Sequence, residues 1–496
     1  MKTSFIKKAL TNKVSIYLVT RYVVYGVTFL TTFIKAGRLG PYYLGIWGSV
    51  LLLLKYFHVI DFGIGNSMSV LLVQNKNDKQ KSDDYEKAAL FLLGIIALAV
   101  VGIALYYGVF GIPFLQKFEL GKRFYYVCLI AIFQYFGDYA LKVYRVKGKM
   151  FEFTFYQTFV HVIILPVLFL ARGERLVDIL IWTYVFSYIL TAAIFAFRGG
   201  ISYEGKLHLG NVKDILGKGI FLFIYNSCFY FIVLSTKTII STRYSVEEFG
   251  FFTFAYTLAN GTLAFLTAFS SLITPKLLDK FHTDDPDKID KTVHLLRSNY
   301  VTMAHGIMYL ALPVFPLLLL LLPKYATALP VINLTALAVL LYANSFGYVS
   351  FLMAKNWEKR LALNTVIALV LNVSLALVLV NVLHVGYQYV ILATLVTYFV
   401  YACLVVEAGK RCMGLRPSLW AVIAEVMPIG LLVPYLTACV LTVVGIPYLM
   451  VIPFLLFVAM NIPSIKEIIR SVKRITYHPD VIDIKKDETP ETKSNG

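Results

Sequence analysis

The chain has 496 residues, of which 59% are hydrophobic and only 15% charged, and its mean hydropathy is +0.73. A soluble domain holds about half apolar and a quarter charged residues, so this composition excludes an ordinary soluble protein and predicts a chain solvated by lipid. The net charge of +18 does not point to nucleic acid, because the basic residues sit in short stretches between apolar runs and form no long basic face.

The amino end, Met1–Lys13, is basic and leads into a long apolar run with no small-residue cleavage site, which predicts an uncleaved first helix. Apolar runs follow at 14–36, 43–74, 86–110, 123–143, 153–171, 177–197, 216–241, 248–275, 299–322, 328–353, 359–383, 387–408, 418–443 and 446–462. Each is long enough to cross a bilayer, and each must be a helix, because lipid offers no partner to free backbone groups. The prediction is an all-α membrane protein of about 14 transmembrane helices. With the amino end in the cytosol, 34 of the 46 Lys and Arg fall in inside segments and 9 in outside loops. The remaining three, Arg21, Lys55 and Lys237, lie within spans. That bias predicts a cytosolic location for both termini. No outer loop is large, and the tail from Ser464 is polar and reads as disordered.

An internal repeat divides the spans. Arg38 and Gly45 open span 2, and Arg243 and Gly250 open span 8 with the same spacing, 205 residues later. The same offset carries loop 74–87 onto loop 279–292 and Glu119 onto Lys324. An offset of six spans predicts two parallel six-helix bundles related by a pseudo-two-fold axis along the membrane normal. The expected units are an N-terminal bundle over 1–198, a cytosolic linker over 199–215 and a C-terminal bundle over 216–408. Two extra helices over 409–462 and a cytosolic polar tail over 463–496 complete the chain.

Three segments carry a family resemblance. Gly37-Arg38-Leu39-Gly40-Pro41 is followed by Gly45-Ile46-Trp47 and by Asp61-Phe62-Gly63-Ile64-Gly65. In the second half, Pro323-Lys324-Tyr325-Ala326-Thr327-Ala328 precedes the basic turn 354–360. These residues resemble the Wzx-type polysaccharide flippases of the MOP superfamily. The resemblance implies two bundles around a central cavity that opens alternately to either side. It also implies a lipid-linked oligosaccharide substrate carried on polyprenyl pyrophosphate, moved from the cytosolic to the outer leaflet of a bacterial inner membrane. O-antigen, capsule and exopolysaccharide synthesis are the processes such a flippase serves, with membrane lipids and polysaccharide polymerase machinery as expected partners. The related lipid II flippase uses basic residues on helices 1, 2 and 8. Arg21 and Lys55 match the first two by location, but span 8 has no Lys or Arg before Lys276.

Ionised groups at bilayer depth are costly and normally turn inward, so the intramembrane polar residues are the candidates for function. Span 1 carries Arg21, Tyr25 and Thr28 at helical spacing, and span 2 carries Lys55, His58 and Asp61. Span 7 carries Asn226, Tyr230 and Lys237, and span 8 carries Thr257 and Asn260. Arg21, Lys55 and Lys237 are candidates for a cationic pathway that neutralises pyrophosphate, with Tyr25, Thr28, Asn226, Tyr230, Thr257 and Asn260 offering exchangeable hydrogen bonds to sugar hydroxyls. Span 4 ends in Asp138, Lys142 and Arg145. Lys142 and Arg145 are candidates for a cytosolic mouth, though the inside bias alone would supply them, and Asp138 is placed to pair with Lys142 at i,i+4 or with a base on another helix. His58, Asp61 and Asp138 are candidates for ion coupling. Glu425 stands as the acid inside span 13, as a counter-ion or as a defect relieved by a partner.

The five cysteines lie almost wholly in apolar runs without a Cys-x-x-Cys, and neither a disulfide nor a metal site is expected. A Walker A loop and a His-Glu-x-x-His motif are both absent from the sequence, and no cofactor is expected. The expected activity is transport and not enzymatic. A cation-coupled multidrug exporter of the same superfamily is the alternative and would require acids in the cavity. A membrane oligosaccharide polymerase ranks below it, because the outer loops are short and poor in paired acids.

Overall fold

The computed structural model describes residues 13–198, 204–217, 220–280 and 286–477. Among the described residues every regular element is a helix, and helices occupy all fourteen expected spans. Seven are individually long and apolar enough to cross a membrane, and three more spans qualify as bent pairs. Spans 1 and 2 are two helices within Lys13–Val59, separated by a kink at Gly40, whose backbone is non-helical (φ 70°, ψ 170°), just before Pro41. Span 2 then continues as Ile64–Gln74 after a 45° bend. Spans 3 to 8 are Lys79–Phe110, Arg123–Val146, Met150–Val167, Gly173–Arg198, Ile220–Arg243 and Val246–Lys280. Spans 9, 10 and 13 are each broken into two helical pieces, near Pro313, at 344–347 and at Pro428. Spans 11, 12 and 14 are Glu358–Asn381, Ile391–Cys412 and Val451–Met460.

Polar connections hold more helix than their composition suggests. The linker contains Leu209–Gly217, and span 9 starts at Pro286, inside a stretch counted as loop. The linker helix is too short to cross a bilayer. It seats Val212 and the buried Ile215 on the core, with Tyr85 donating to Asp214 (3.0 Å) and Lys206 N donating to Asp84 (2.7 Å). The tail likewise begins as a helix, Ile462–Tyr477, and only residues 478–496 lie outside the described residues.

The pair formed by spans 13 and 14 is stitched to the C-terminal bundle by charge. Glu425 accepts from Lys410 of span 12 (2.8 Å) and from Tyr348 of span 10 (2.5 Å). It is therefore a counter-ion. The buried Arg297 of span 9 donates to the carbonyls of Asn344 and Val426, both 3.0 Å away. These carbonyls lie where spans 10 and 13 break and the helical ladder leaves them without their usual partners.

The two bundles meet most extensively where span 2 crosses span 8. A Cβ on Gly45 would fall onto the carbonyl oxygen of Val246, and a Cβ on Gly250 onto the carbonyl oxygen of Pro41. Each pair is the other shifted by 205 residues, so the repeat found in the sequence is a reciprocal contact about the pseudo-two-fold axis. Only glycine admits backbone this close. Gly250→Ala should cost about 1–3 kcal/mol through overpacking, in spite of roughly 1 kcal/mol of better helix propensity. Gly210→Ala, in a helix with open space around it, should keep or raise stability, by up to about 1 kcal/mol. Thermal unfolding of the purified protein compares the two, and equal midpoints would remove the crossing as a tight contact.

Candidate functional site

A cavity of about 260 Å³ opens between the bundles, toward the face that carries most of the basic residues. Its walls come from span 2 (His58, Asp61, Asn66), span 4 (Tyr135, Asp138, Lys142) and span 7 (Phe223, Asn226, Tyr230). The break in span 2 shapes it. The helix stops at Val59, Asp61 Oδ1 accepts from Gly63 N (2.8 Å), and Phe62 and Gly63 adopt left-handed backbone (φ 49° and 72°). This Asx turn re-aims the chain, and the missing Cβ at Gly63 leaves room for the Phe223 ring.

Inside the cavity the polar groups pair across helices. His58 Nδ1 lies 3.3 Å from Asp138 Oδ2, joining spans 2 and 4. Lys142 Nζ donates to Asn66 Oδ1 (2.6 Å), so the i,i+4 pair of Asp138 with Lys142 gives way to partners on another helix. Tyr135 donates to the carbonyl of Phe57 (2.6 Å) in the turn before the break.

Beyond the cavity, deeper in the seam, stand Lys55 and Lys237. Lys55 Nζ lies 5.3 Å from the centroid of the Tyr230 ring, and Tyr230 also lines the cavity. Lys237 Nζ lies 3.9 Å from the centroid of Tyr256. Their neighbours Tyr56 and Thr238 touch hydroxyl to hydroxyl (2.5 Å), which joins spans 2 and 7 one residue from each lysine. Among the described residues neither has a carboxylate within ion-pair distance. Lys55 is exposed within the seam and Lys237 is half-buried, so cation–π contact supplies about 0.5–1 kcal/mol to the first and up to about 2 kcal/mol to the second.

Tyr25, Thr28, Thr257, Asn260 and Arg145 lie outside the cavity lining. Arg21 falls on span 1, but its side chain is outside the described residues. Tyr25 and Thr28 are on span 1 as well, and the carbonyl of Thr28 accepts from Thr31 and Thr32. Thr257 and Asn260 spend donors on their own helix, at the carbonyls of Thr253 and Tyr256, each 2.8 Å away. Arg145 is exposed at the end of span 4. Asn66, Tyr56 and Thr238 were not among the candidates. Asn66 directly follows Gly65, and the polar pair Asn226-Ser227 on span 7 marked the facing wall. Among the described residues no cluster of three His, Cys, Asp or Glu could hold a metal.

The opposite end of the seam is closed. Lys117, on the short helix Pro113–Lys117 between spans 3 and 4, donates to the carbonyls of Ser241 (2.7 Å), Thr242 (3.1 Å) and Tyr244 (2.5 Å). It thereby caps the C-terminal end of span 7, where a cation is favoured. In the other bundle Tyr325 donates to the carbonyl of Ala36 near the turn after span 1 (3.1 Å). Ala36 and Ser241 are again 205 residues apart, so each bundle holds the end of the other's first helix.

The chain is similar in structure to solved membrane transporters. It matches the lipid II flippase MurJ in an inward closed conformation with a TM-score of 0.69 and 12% identity, over 92% of this chain and 100% of that one. It matches the inward-facing conformation of a multidrug resistance MATE family transporter of the MOP superfamily with a TM-score of 0.66 and 12% identity, over 80% of this chain and 98% of that one. An outward-facing conformation of a MATE family transporter scores 0.57 at 12% identity, over 82% and 97%. No protein-family model and no curated protein matches the sequence. The fold is thus that of MOP-superfamily transporters.

If Lys117 bolts the closed end, Lys117→Met should open it. In a variant freed of the five native cysteines, Ser241→Cys is fully buried. A membrane-impermeant maleimide should label it about tenfold faster when Lys117 is Met, the effect of losing a charge-assisted bond or two. Equal labelling rates would remove Lys117 from the closure.

Proposed function

We propose that this chain is a flippase for a polyprenyl-pyrophosphate-linked oligosaccharide, working by alternating access in a bacterial inner membrane with both termini in the cytosol. The observation that carries the reading is the pair Lys55 and Lys237, adjacent across the seam and without an acid beside them. Lys237 is half-buried and Lys55 opens to the seam, so a pyrophosphate entering the seam would meet one accessible cation and supply the counter-charge that the other lacks. The cavity adds hydroxyl and amide groups suited to sugars, from Asn66, Asn226, Tyr135 and Tyr230. Lys142 at its edge would draw in the head group, with Arg145 and Arg21 as further basic contacts. The resemblance to Wzx-type flippases and the fold shared with MurJ favour the same reading.

In this mechanism the head group enters from the basic face while the polyprenyl chain stays in lipid. The pyrophosphate settles on Lys55 and Lys237, and the bundles rock about the Gly45–Gly250 crossing until the Lys117 and Tyr325 contacts release. His58 and Asp138, with Asp61 nearby, are the groups placed to exchange an ion during the cycle. O-antigen, capsule and exopolysaccharide synthesis are the processes served.

A multidrug exporter is the second reading, and the carboxylates of Asp61 and Asp138 in the cavity favour it. His58 lies against Asp138, and Gly63 N donates to Asp61, so both carboxylates already have partners within the protein.

Proteoliposomes with a labelled lipid-linked oligosaccharide distinguish the two. Flipping should be accelerated by the wild type and reduced at least tenfold by Lys55→Gln with Lys237→Gln, with the folded yield unchanged. A loss of about 1.4 kcal/mol in binding suffices for that factor. Full flipping by the double variant would sink the cationic site, and export of cationic dyes without any flipping would select the exporter.

A further inference from the structure

The helix Ile462–Tyr477 has no part in the cavity or the seam. It follows span 14 after a 75° bend, so it leaves the direction of the last span and turns across the end of the bundle on the basic face. Its sequence, IPSIKEIIRSVKRITY, divides cleanly. At about 100° per residue, Ile462, Ile465, Ile468, Ile469, Val472 and Ile475 fall within an arc of about 140°. Lys466, Arg470, Lys473 and Arg474 fall within about 100° on the other side.

The apolar arc is only partly used by the protein. Ile465 packs against the core, while Ile462 and Ile469 remain 44% and 50% exposed. A basic polar face, an open aliphatic face and a position level with the end of a membrane span are the attributes of a helix lying in a lipid interface. The charge selects the lipid, since a polybasic face at the head-group level is attracted to anionic phospholipids and released by salt.

We propose that Ile462–Tyr477 is an interfacial anchor, with its isoleucines in the acyl boundary and its four basic residues on anionic phospholipid head groups. The occupant is the leaflet itself and not a protein. In the expected orientation this is the cytosolic leaflet, and the helix fixes spans 13 and 14, and the end of span 9 that it touches, against that leaflet.

Amide hydrogen exchange of the full chain in nanodiscs tests this. Exchange over 462–477 should be about tenfold slower in discs containing phosphatidylglycerol than in discs of phosphatidylcholine alone, and 0.5 M salt should shrink that difference. The variant K466E/R470E/K473E/R474E should exchange equally fast in both lipids, while span 12 keeps its wild-type protection. Equal protection of the wild type in both lipids would overturn the proposal and would be the result if the helix were covered by protein. Protection of the charge-reversed variant in the anionic discs would overturn it equally.

Discussion

The close approach of span 2 to span 8 determines how the rest of the molecule is arranged. At Gly45 and Gly250 no side chain separates the two helices, and the backbone of one rests on carbonyl oxygens of the other. Two helices that touch at one level must diverge away from it. On one side of the crossing the bundles leave the cavity between spans 2, 4 and 7. On the other side the ends of spans 1 and 7 are held by the loop of the opposite bundle. The closure is symmetric in position but not in chemistry, with a lysine on three carbonyls at one bundle and a tyrosine on one carbonyl at the other. A cation at a helix C-terminus gains from the macrodipole as well as from the bonds, so the Lys117 side is the stronger grip.

Much of this was legible in the sequence, and for a definite reason. Long apolar runs can only be helices in lipid, so the spans followed from composition and the topology expectation from the basic residues between them. The repeat at 205 residues was visible in Arg38, Gly45, Arg243 and Gly250, although the sequence did not say that the glycines face each other. The polar connections were misread because they were judged by content and not by period. Ile462–Tyr477 is polar by count and amphipathic by spacing, and Leu209–Gly217 hides Val212 and Ile215 on one side.

The site was legible by helix and not by contact. Stripe reasoning placed His58, Asp61, Asp138, Lys142, Asn226 and Tyr230 on spans that turn out to share one cavity. It also selected Thr257 and Asn260, whose donors go to their own backbone, as short polar side chains do when lipid surrounds a helix. The pairing of Asp138 with His58 joins residues 80 positions apart, which no local rule reaches. Span 2 had to break at Asp61 for His58 and Asn66 to face span 4, and that break depends on a side chain bonding to the backbone two residues on.

The deep charges separate into two kinds, and the difference bears on what the protein does. Glu86 lies against Lys147 (2.6 Å), Glu425 against Lys410, and Arg297 against two freed carbonyls. Each is compensated on the spot, and removing one partner would leave a buried charge at a cost of about 3–5 kcal/mol. Such groups hold broken helices together and have little reason to change during a transport cycle. Lys55 and Lys237 lie instead on the faces of tyrosine rings, with no acid within ion-pair distance among the described residues. Lys35 on span 1 is held in the same way, 5.4 Å from the centroid of Trp47, so lysines on aromatic faces recur along the seam-forming helices, and Lys237, the half-buried member of the pair, bears the larger desolvation cost. Under the proposed function, an anionic ligand passing through the seam would supply the counter-charge that this pair lacks.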